Sequence, residues 1–446
     1  MRFTTATRSA AAPLLAAITL AGCSLADIGP KRQVQVTIAP TSVTLAPSAQ
    51  QGFAATVSGT SNQAVTWSAT GGTITGTGPA ITYTAPAEPG TYEVRATGAA
   101  QPGKHAAAQV LVDHPPGSVI WTRQFGSVSE DEGLAVATGA TGNIAVAGRL
   151  GADQAGSGSF AGGAFVRLYT AAGTLLWADQ FGGDVGGEAH GVAIDGGGNV
   201  IVAGSVMGLL GSTDNGTIDA FVRKYSPSGD VVWTRQFGTP GSDSARALAA
   251  APDGSFVVAG NTEGQLGGPS SGEADAYVRK YDPDANPVWT RQIGTAGTDL
   301  SFGVAIAADQ SVIVVGYTRG DLAGAAIGAG DAFVRKYDAE DDVLWSFQFG
   351  APGWNAATGV ALDRDGNVLV TGIMRDTQAG PGGPAQDAFV RKYSPDGDLL
   401  WADRFGTGEP CVGLGVAVDA YGNVLVVGRT HGDLAAGQAG AGDAFA

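Results

Sequence analysis

The stretch GVALDRDGNVLVTG (359–372), followed after a Gly-rich interval by DAFVRKYSPDGDLLWADRFG (387–406), decides the fold. Each half reads as a hairpin. Apolar residues alternate on both sides of Asp363-Arg364-Asp365-Gly366-Asn367 in the first, and of Ser394-Pro395-Asp396-Gly397-Asp398 in the second. A period of two marks strands with two distinct faces, while Asp, Asn, Gly and Pro supply turn conformations. The unit therefore holds four strands.

The unit recurs. Trp121, Trp177, Trp233, Trp289, Trp345 and Trp401 stand 56 residues apart, and the pairs from Ala164-Phe165 to Ala444-Phe445 keep the same interval. Four strands per repeat is the pattern of a propeller blade. The pieces G-V-A-[LIV]-D…G-N-V, D-A-F-V-R-K-Y and L-L-W…F-G resemble the bacterial SBBP-type β-propeller repeats. That resemblance implies the fold and no single activity. KYSPDGDLLW (392–401) is also similar to the tryptophan-docking turn of quinoprotein propellers, where the Trp locks blade to blade. The cofactor-clasping residues of full quinoproteins are not found, and no cofactor is assigned.

The repeat region, 118–446, opens on a lone fourth strand around Trp121 and ends inside a third strand, DAFA (443–446). The missing pieces are complementary. Residues 118–125 are expected to complete the last blade and close a ring of six, which removes exposed sheet edges. The shortened DAFA, where its siblings read DAFVRKY, is the weak point of that closure.

Ahead of the repeats, 33–113 alternates short apolar runs with turn residues. That texture predicts a β-sandwich. Trp67, the Pro89-Gly90-Thr91-Tyr92 turn and the closing run AQVLV (108–112) resemble bacterial Ig-like surface domains, which implies a spacer. The fold class is thus all-β: an Ig-like sandwich, a Pro-rich linker at 114–117, and a six-bladed propeller.

Residues 1–22 read as a secretory signal, with Arg2 and Arg8 before an apolar run too short to span a bilayer. Leu20-Ala21-Gly22-Cys23 resembles the lipobox of bacterial lipoproteins. The resemblance implies cleavage before Cys23, lipidation of its sulfur, and a tether over 23–32. Ser24 after the Cys favours an outer-membrane or cell-surface address, anchored by lipid. Cys411 is then left without a disulfide partner.

Composition narrows the classes. Glycine makes up 71 of 446 residues without a Gly-X-Y period, which excludes collagen, and it disfavours a helical protein. A 44% hydrophobic content supplies a core. The net charge of −16 argues against nucleic acid as a partner.

A repeat carries its own control: residues present in every blade serve the blade, and those that vary are site candidates. Asp219, Asp275, Asp331 and Asp387, with Arg223, Arg279, Arg335 and Arg391, recur and read as structural. The column Leu134, His190, Arg246, Phe302, Thr358 and Leu414, placed just before each first strand, varies and is expected to ring the channel mouth. Trp354 is unmatched among the fourth-to-first connections and makes a stacking platform. Ligand contacts are therefore assigned to Trp354, Arg246, His190 and Phe302. No catalytic set or metal cluster is recognised. The Asp363 turn offers closely spaced oxygens, but its counterparts at 195–199 and 307–311 lack most of them, so turn chemistry rather than calcium explains it.

These features point to a lipid-anchored, non-enzymatic envelope protein that binds a glycan, peptide or protein on its loop face. The alternatives are a propeller enzyme (polysaccharide lyase, hydrolase or quinoprotein-like) and an outer-membrane assembly scaffold.

Overall fold

The computed structural model describes residues 33–114, 118–151, 162–182, 186–211, 215–378, 385–419, 421–434 and 442–446. The signal segment, Cys23, the tether and most of the 114–117 linker lie outside these. The chain divides into two units, one ending at Ile120 and the other running Trp121–Ala446. Among the described residues every regular element is a strand.

The first unit is a sandwich of two four-stranded sheets. One orders Gln35–Ala39, Gln50–Ser58, Ala80–Thr84 and Thr73–Thr75; the other orders Ser42–Leu45, His105–Val112, Gly90–Gly98 and Val65–Ala69. Alternation drives it: Gln50–Ser58 buries Phe53, Ala55 and Val57 and exposes the residues between them. Tyr83 and Phe53 meet edge-on in the core at 6.1 Å. Trp67 is only half-buried and donates its indole N–H to the Gly78 carbonyl at 2.9 Å. Ser42–Leu45 runs parallel to His105–Val112.

In the second unit the 56-residue repeat folds into five four-stranded antiparallel sheets and a final three-stranded one. The sheet holding the deciding stretch orders Asn355–Leu362, Val368–Asp376, Ala385–Tyr393 and Leu399–Phe405. Its siblings repeat this order, and the first strands pack side by side in series from Glu132–Thr138 to Cys411–Val418. The second strands of the central sheets are buried on both faces, as in Val312–Thr318. Burying each large apolar side chain contributes about 1.5–3 kcal/mol.

The recurrent residues hold neighbouring strands and sheets together. Asp275 accepts from Gln292 Nε2 at 2.6 Å and from the Ser271 amide at 2.9 Å, and Asp387 pairs with Arg404 at 2.6 Å. The Arg391 guanidinium lies 3.9 Å from the ring centre of Phe349 in the preceding sheet, and Arg279 lies 4.6 Å from that of Phe237. Asp363 closes its turn by accepting from the Asp365 and Asn367 amides on one oxygen, and Lys392 Nζ and Asn367 Nδ2 each lie 2.8 Å from the other. A lysine thus supplies the positive charge beside that turn.

Buried acid pairs mark the junctions between central sheets. Asp219 and Asp243 crowd Gly238, Asp275 and Asp299 repeat the pairing, and Asp331 faces Asn355 at the next junction. Burial, then the neighbouring carboxylate, pushes Asp243 and Asp299 above the ordinary carboxylate value.

The expected closing strand is not formed. Residues 118–127 adopt no strand, and the last sheet has three strands, Cys411–Val418, Val424–Thr430 and Asp443–Phe445. Even so, Trp121 donates to the Ala171 carbonyl at 2.9 Å, and Phe125 lies 3.8 Å beneath Arg167. Both repeat the contacts a preceding fourth strand makes elsewhere. The faces that siblings bury stay open at the two ends of the series, with Val136 at 68% and Leu425 at 53% exposure.

Candidate ligand-binding site

The variable column does not precede the first strands; it lies inside them. In each sheet the pairing between first and second strands slips by one residue, and the extra residue is Leu134, His190, Arg246, Phe302, Thr358 or Leu414. These are β-bulges, which leave one residue out of the ladder and re-aim its side chain. The expectation put the column one step early because the strands start further upstream, at Glu132, Gly186, Asp243, Asp299, Asn355 and Cys411.

Each bulge faces a glycine on the second strand: Gly148, Gly204, Gly260, Gly316, Gly372 or Gly428. A Cβ at any of these would strike the carbonyl oxygen two residues before the bulge, as with Leu300 behind Gly316. Backbone proximity therefore fixes these glycines, while the bulged residue stays free to vary.

A second variable column follows those glycines: Arg149, Ser205, Asn261, Tyr317, Ile373 and Arg429. It was missed in the sequence because it lies inside second strands that otherwise read as core. Contacts join the columns within a sheet, with Arg246 Nε donating to Asn261 Oδ1 at 2.7 Å and His190 Nε2 lying 3.5 Å from Ser205 Oγ.

The rim has two characters. Along the first three repeat sheets it is polar. Arg149 bridges Glu132 at 3.1 Å and Glu188 at 3.4 Å, and Glu188 approaches His190 Nε2 at 3.4 Å. Burial, chiefly, and the positive charge of Arg246 hold His190 below its ordinary value, against the opposing pull of Glu188. Along the later sheets the rim is apolar. Tyr317, Ala356 and Ile373 are buried together, with Leu300, Phe302 and Val412 packed on them. The Trp354 ring lies 5.5 Å from Tyr317 and is 39% exposed.

The structure brings Phe302 and Trp354 to one cavity of about 440 Å³, shared with Thr358, Leu414, Arg375 and Arg429 among others. Arg246 joins the two halves, its guanidinium 5.9 Å from the Phe302 ring. His190 belongs to the polar half and does not line that cavity. The second-to-third and fourth-to-first connections meet on this side: Gly330 bridges Trp354 in parallel, and the Asn355 amide donates to the Gly330 carbonyl at 2.9 Å.

Glu188, His190 and Ser205 resemble a hydrolase triad in composition but not in geometry. Both contacts fall on Nε2. A relay needs the acid on one ring nitrogen and the nucleophile on the other. Among the described residues no group of three or more His, Cys, Asp and Glu is arranged to hold a metal.

The sheets, their period and the docked tryptophans decide the class. The chain is a β-propeller repeat protein. No family model matches it. The regulatory protein FlaEY of Caulobacter vibrioides is 26% identical over 232 residues, 44% of this chain and 24% of that protein. An uncharacterized WD repeat-containing protein of Acanthamoeba polyphaga mimivirus is 22% identical, over 71% of this chain and 32% of that one. The propeller chain thus spans less than a third of the aligned relatives' lengths. Among solved structures, a quinonprotein alcohol dehydrogenase-like protein from Bacteroides thetaiotaomicron matches 82% of this chain and 94% of its own, with 11% identity and a TM-score of 0.31. A puromycin hydrolase matches 82% of this chain and 50% of its own, with 13% identity and a TM-score of 0.34.

Proposed function

We propose that this protein is a lipid-anchored, non-enzymatic binding module of the bacterial outer membrane or cell surface, in which an Ig-like spacer carries a six-bladed propeller. The carrying observation is the rim. Its bulged positions differ from sheet to sheet while the skeleton around them repeats, and with Trp354 they set an aromatic platform beside a polar half. Such variety on a rigid frame is how scaffolds present ligands. The enzyme alternative is weaker, because the acid, imidazole and hydroxyl meet on a single ring nitrogen.

Six-fold closure belongs to this proposal in the sense that residues 118–125 sit against the first repeat sheet as a preceding fourth strand would, although they pair into no ladder there or in the last sheet. Trp121 and Phe125 support it by occupying the place of a preceding fourth strand.

The full chain expressed in a bacterium tests both parts. Metabolic labelling with a fatty-acid analogue should mark the wild type and spare Cys23→Ser, which should leave the membrane fraction. Glycan and peptide arrays probed with wild type and Trp354→Ala should show ligands that only the wild type retains. Unlabelled wild type refutes the anchor, and identical array profiles refute the site.

A further inference from the structure

We infer that the cavity between Phe302, Trp354 and Leu414 is a subsite for an acidic sugar, a ring whose flat face stacks on Trp354 while its carboxylate meets Arg375 and Arg429. The inference rests on the rim being a ligand site and adds the ligand's chemistry.

Charge carries the first step. The chain bears −16, yet among the described residues no carboxylate lines this cavity, and two arginines do. Among the described residues the ion pairs engage Arg95, Arg149, Arg223, Arg291 and Arg404, not Arg375 or Arg429. On the polar half every rim acid is already answered by Arg149 or His190. Among the described residues this half thus presents two guanidiniums and no carboxylate to the cavity. A guanidinium presents a fork that matches a carboxylate in two parallel hydrogen bonds.

Shape carries the second. Trp354 tilts 40° onto Tyr317, whose hydroxyl accepts from Arg319 Nε at 3.0 Å, so the platform is fixed from behind. Its exposed face, with Phe302, Val412 and Leu414 nearby, provides an apolar wall suited to the C–H face of a pyranose. Gln386 adds an amide that can both donate and accept, which suits ring hydroxyls. The volume of about 440 Å³ holds one or two sugar rings.

Titration calorimetry on the full chain, with tryptophan fluorescence as a second readout, tests the assignment. The probes are trigalacturonate, its methyl ester, a neutral trigalactoside, and a Phe-terminated peptide as acid and amide. Trigalacturonate should bind, and its ester should bind about tenfold more weakly. Arg375→Gln and Arg429→Gln should each weaken trigalacturonate by about tenfold, the loss of one charge-assisted contact. Arg404→Gln, outside the cavity, should bind as wild type does. Absence of trigalacturonate binding at millimolar concentration overturns the proposal, as does equal affinity for acid and ester. Binding of the peptide acid alone also overturns it. A neutral array ligand lost in Trp354→Ala would leave the rim as a site and refute only its acidic specificity; no Trp354-dependent ligand would refute the rim itself.

Discussion

The indole Nε1 of Trp345 donates to the carbonyl of Pro395, 3.0 Å away in the turn of the next sheet, and that carbonyl also accepts from Lys336 Nζ at 3.0 Å. The same bond, fifty residues long in sequence, joins Trp177 to Pro227 at 3.1 Å and Trp289 to Ala339 at 3.2 Å. Trp345→Phe should therefore cost about 1 kcal/mol, the net worth of one hydrogen bond. Trp345→Ala should cost about 3 kcal/mol through lost packing. Urea denaturation measures both; equal midpoints for the two variants would contradict the docking role.

The glycine opposite each bulge answers to a different physical demand. Gly316→Ala should destabilise by about 3 kcal/mol, because its Cβ meets the Leu300 carbonyl and the Phe333 ring. Gly324, whose added Cβ would meet nothing within 4 Å, is the control. Gly324→Ala should stay within about 0.5 kcal/mol of wild type. A tolerated Gly316→Ala would show that the bulge can relax.

His190 should titrate below its ordinary value of 6.5, since burial disfavours the imidazolium. Glu188→Gln should lower it further, and Arg246→Gln should raise it. Proton NMR of the imidazole resonances reads all three. The folded value lies below the unfolded one, so the neutral ring contributes stability above pH 6.5 that is lost as pH falls through the folded value. A His190 that titrates at or above 6.5 contradicts the buried placement.

The acid pairs act with the opposite sign. Asp243 and Asp299 bind protons more tightly folded than unfolded, so stability rises as pH falls from neutral toward 3.8. Asp195 and Asp363, held below 3.8 despite burial by hydrogen bonds from Lys224 and Lys392 and from Asn199 and Asn367, lose their contribution at still lower pH. Relative to an Asp243→Asn, Asp299→Asn double variant, wild type should gain melting temperature on acidification to about pH 4. Parallel melting curves across that range would exclude ionised acid pairs at neutral pH.

The sheets were readable in the sequence because tryptophans spaced at 56 residues and DAFVRKY runs are copied almost without change. What the copies share is what the ladder needs. The bulges were not readable, since a one-residue slip at His190 or Phe302 leaves alternation intact on either side. Arg149 and Arg429 were hidden among second-strand core residues. Trp354 stood out because it is unmatched among the fourth-to-first connections, and it does line the cavity. The rear wall formed by Tyr317 needed the structure, for that contact joins residues of different sheets.

The pairing of a fixed glycine with a free bulged residue separates two kinds of inheritance. The glycine opposite each bulge lies on the second strand, so the bulged position itself can change from Leu134 to Arg246 to Phe302 while the ladder on either side is kept. A rim position can accordingly be exchanged one sheet at a time while the pairing around the others stays in place.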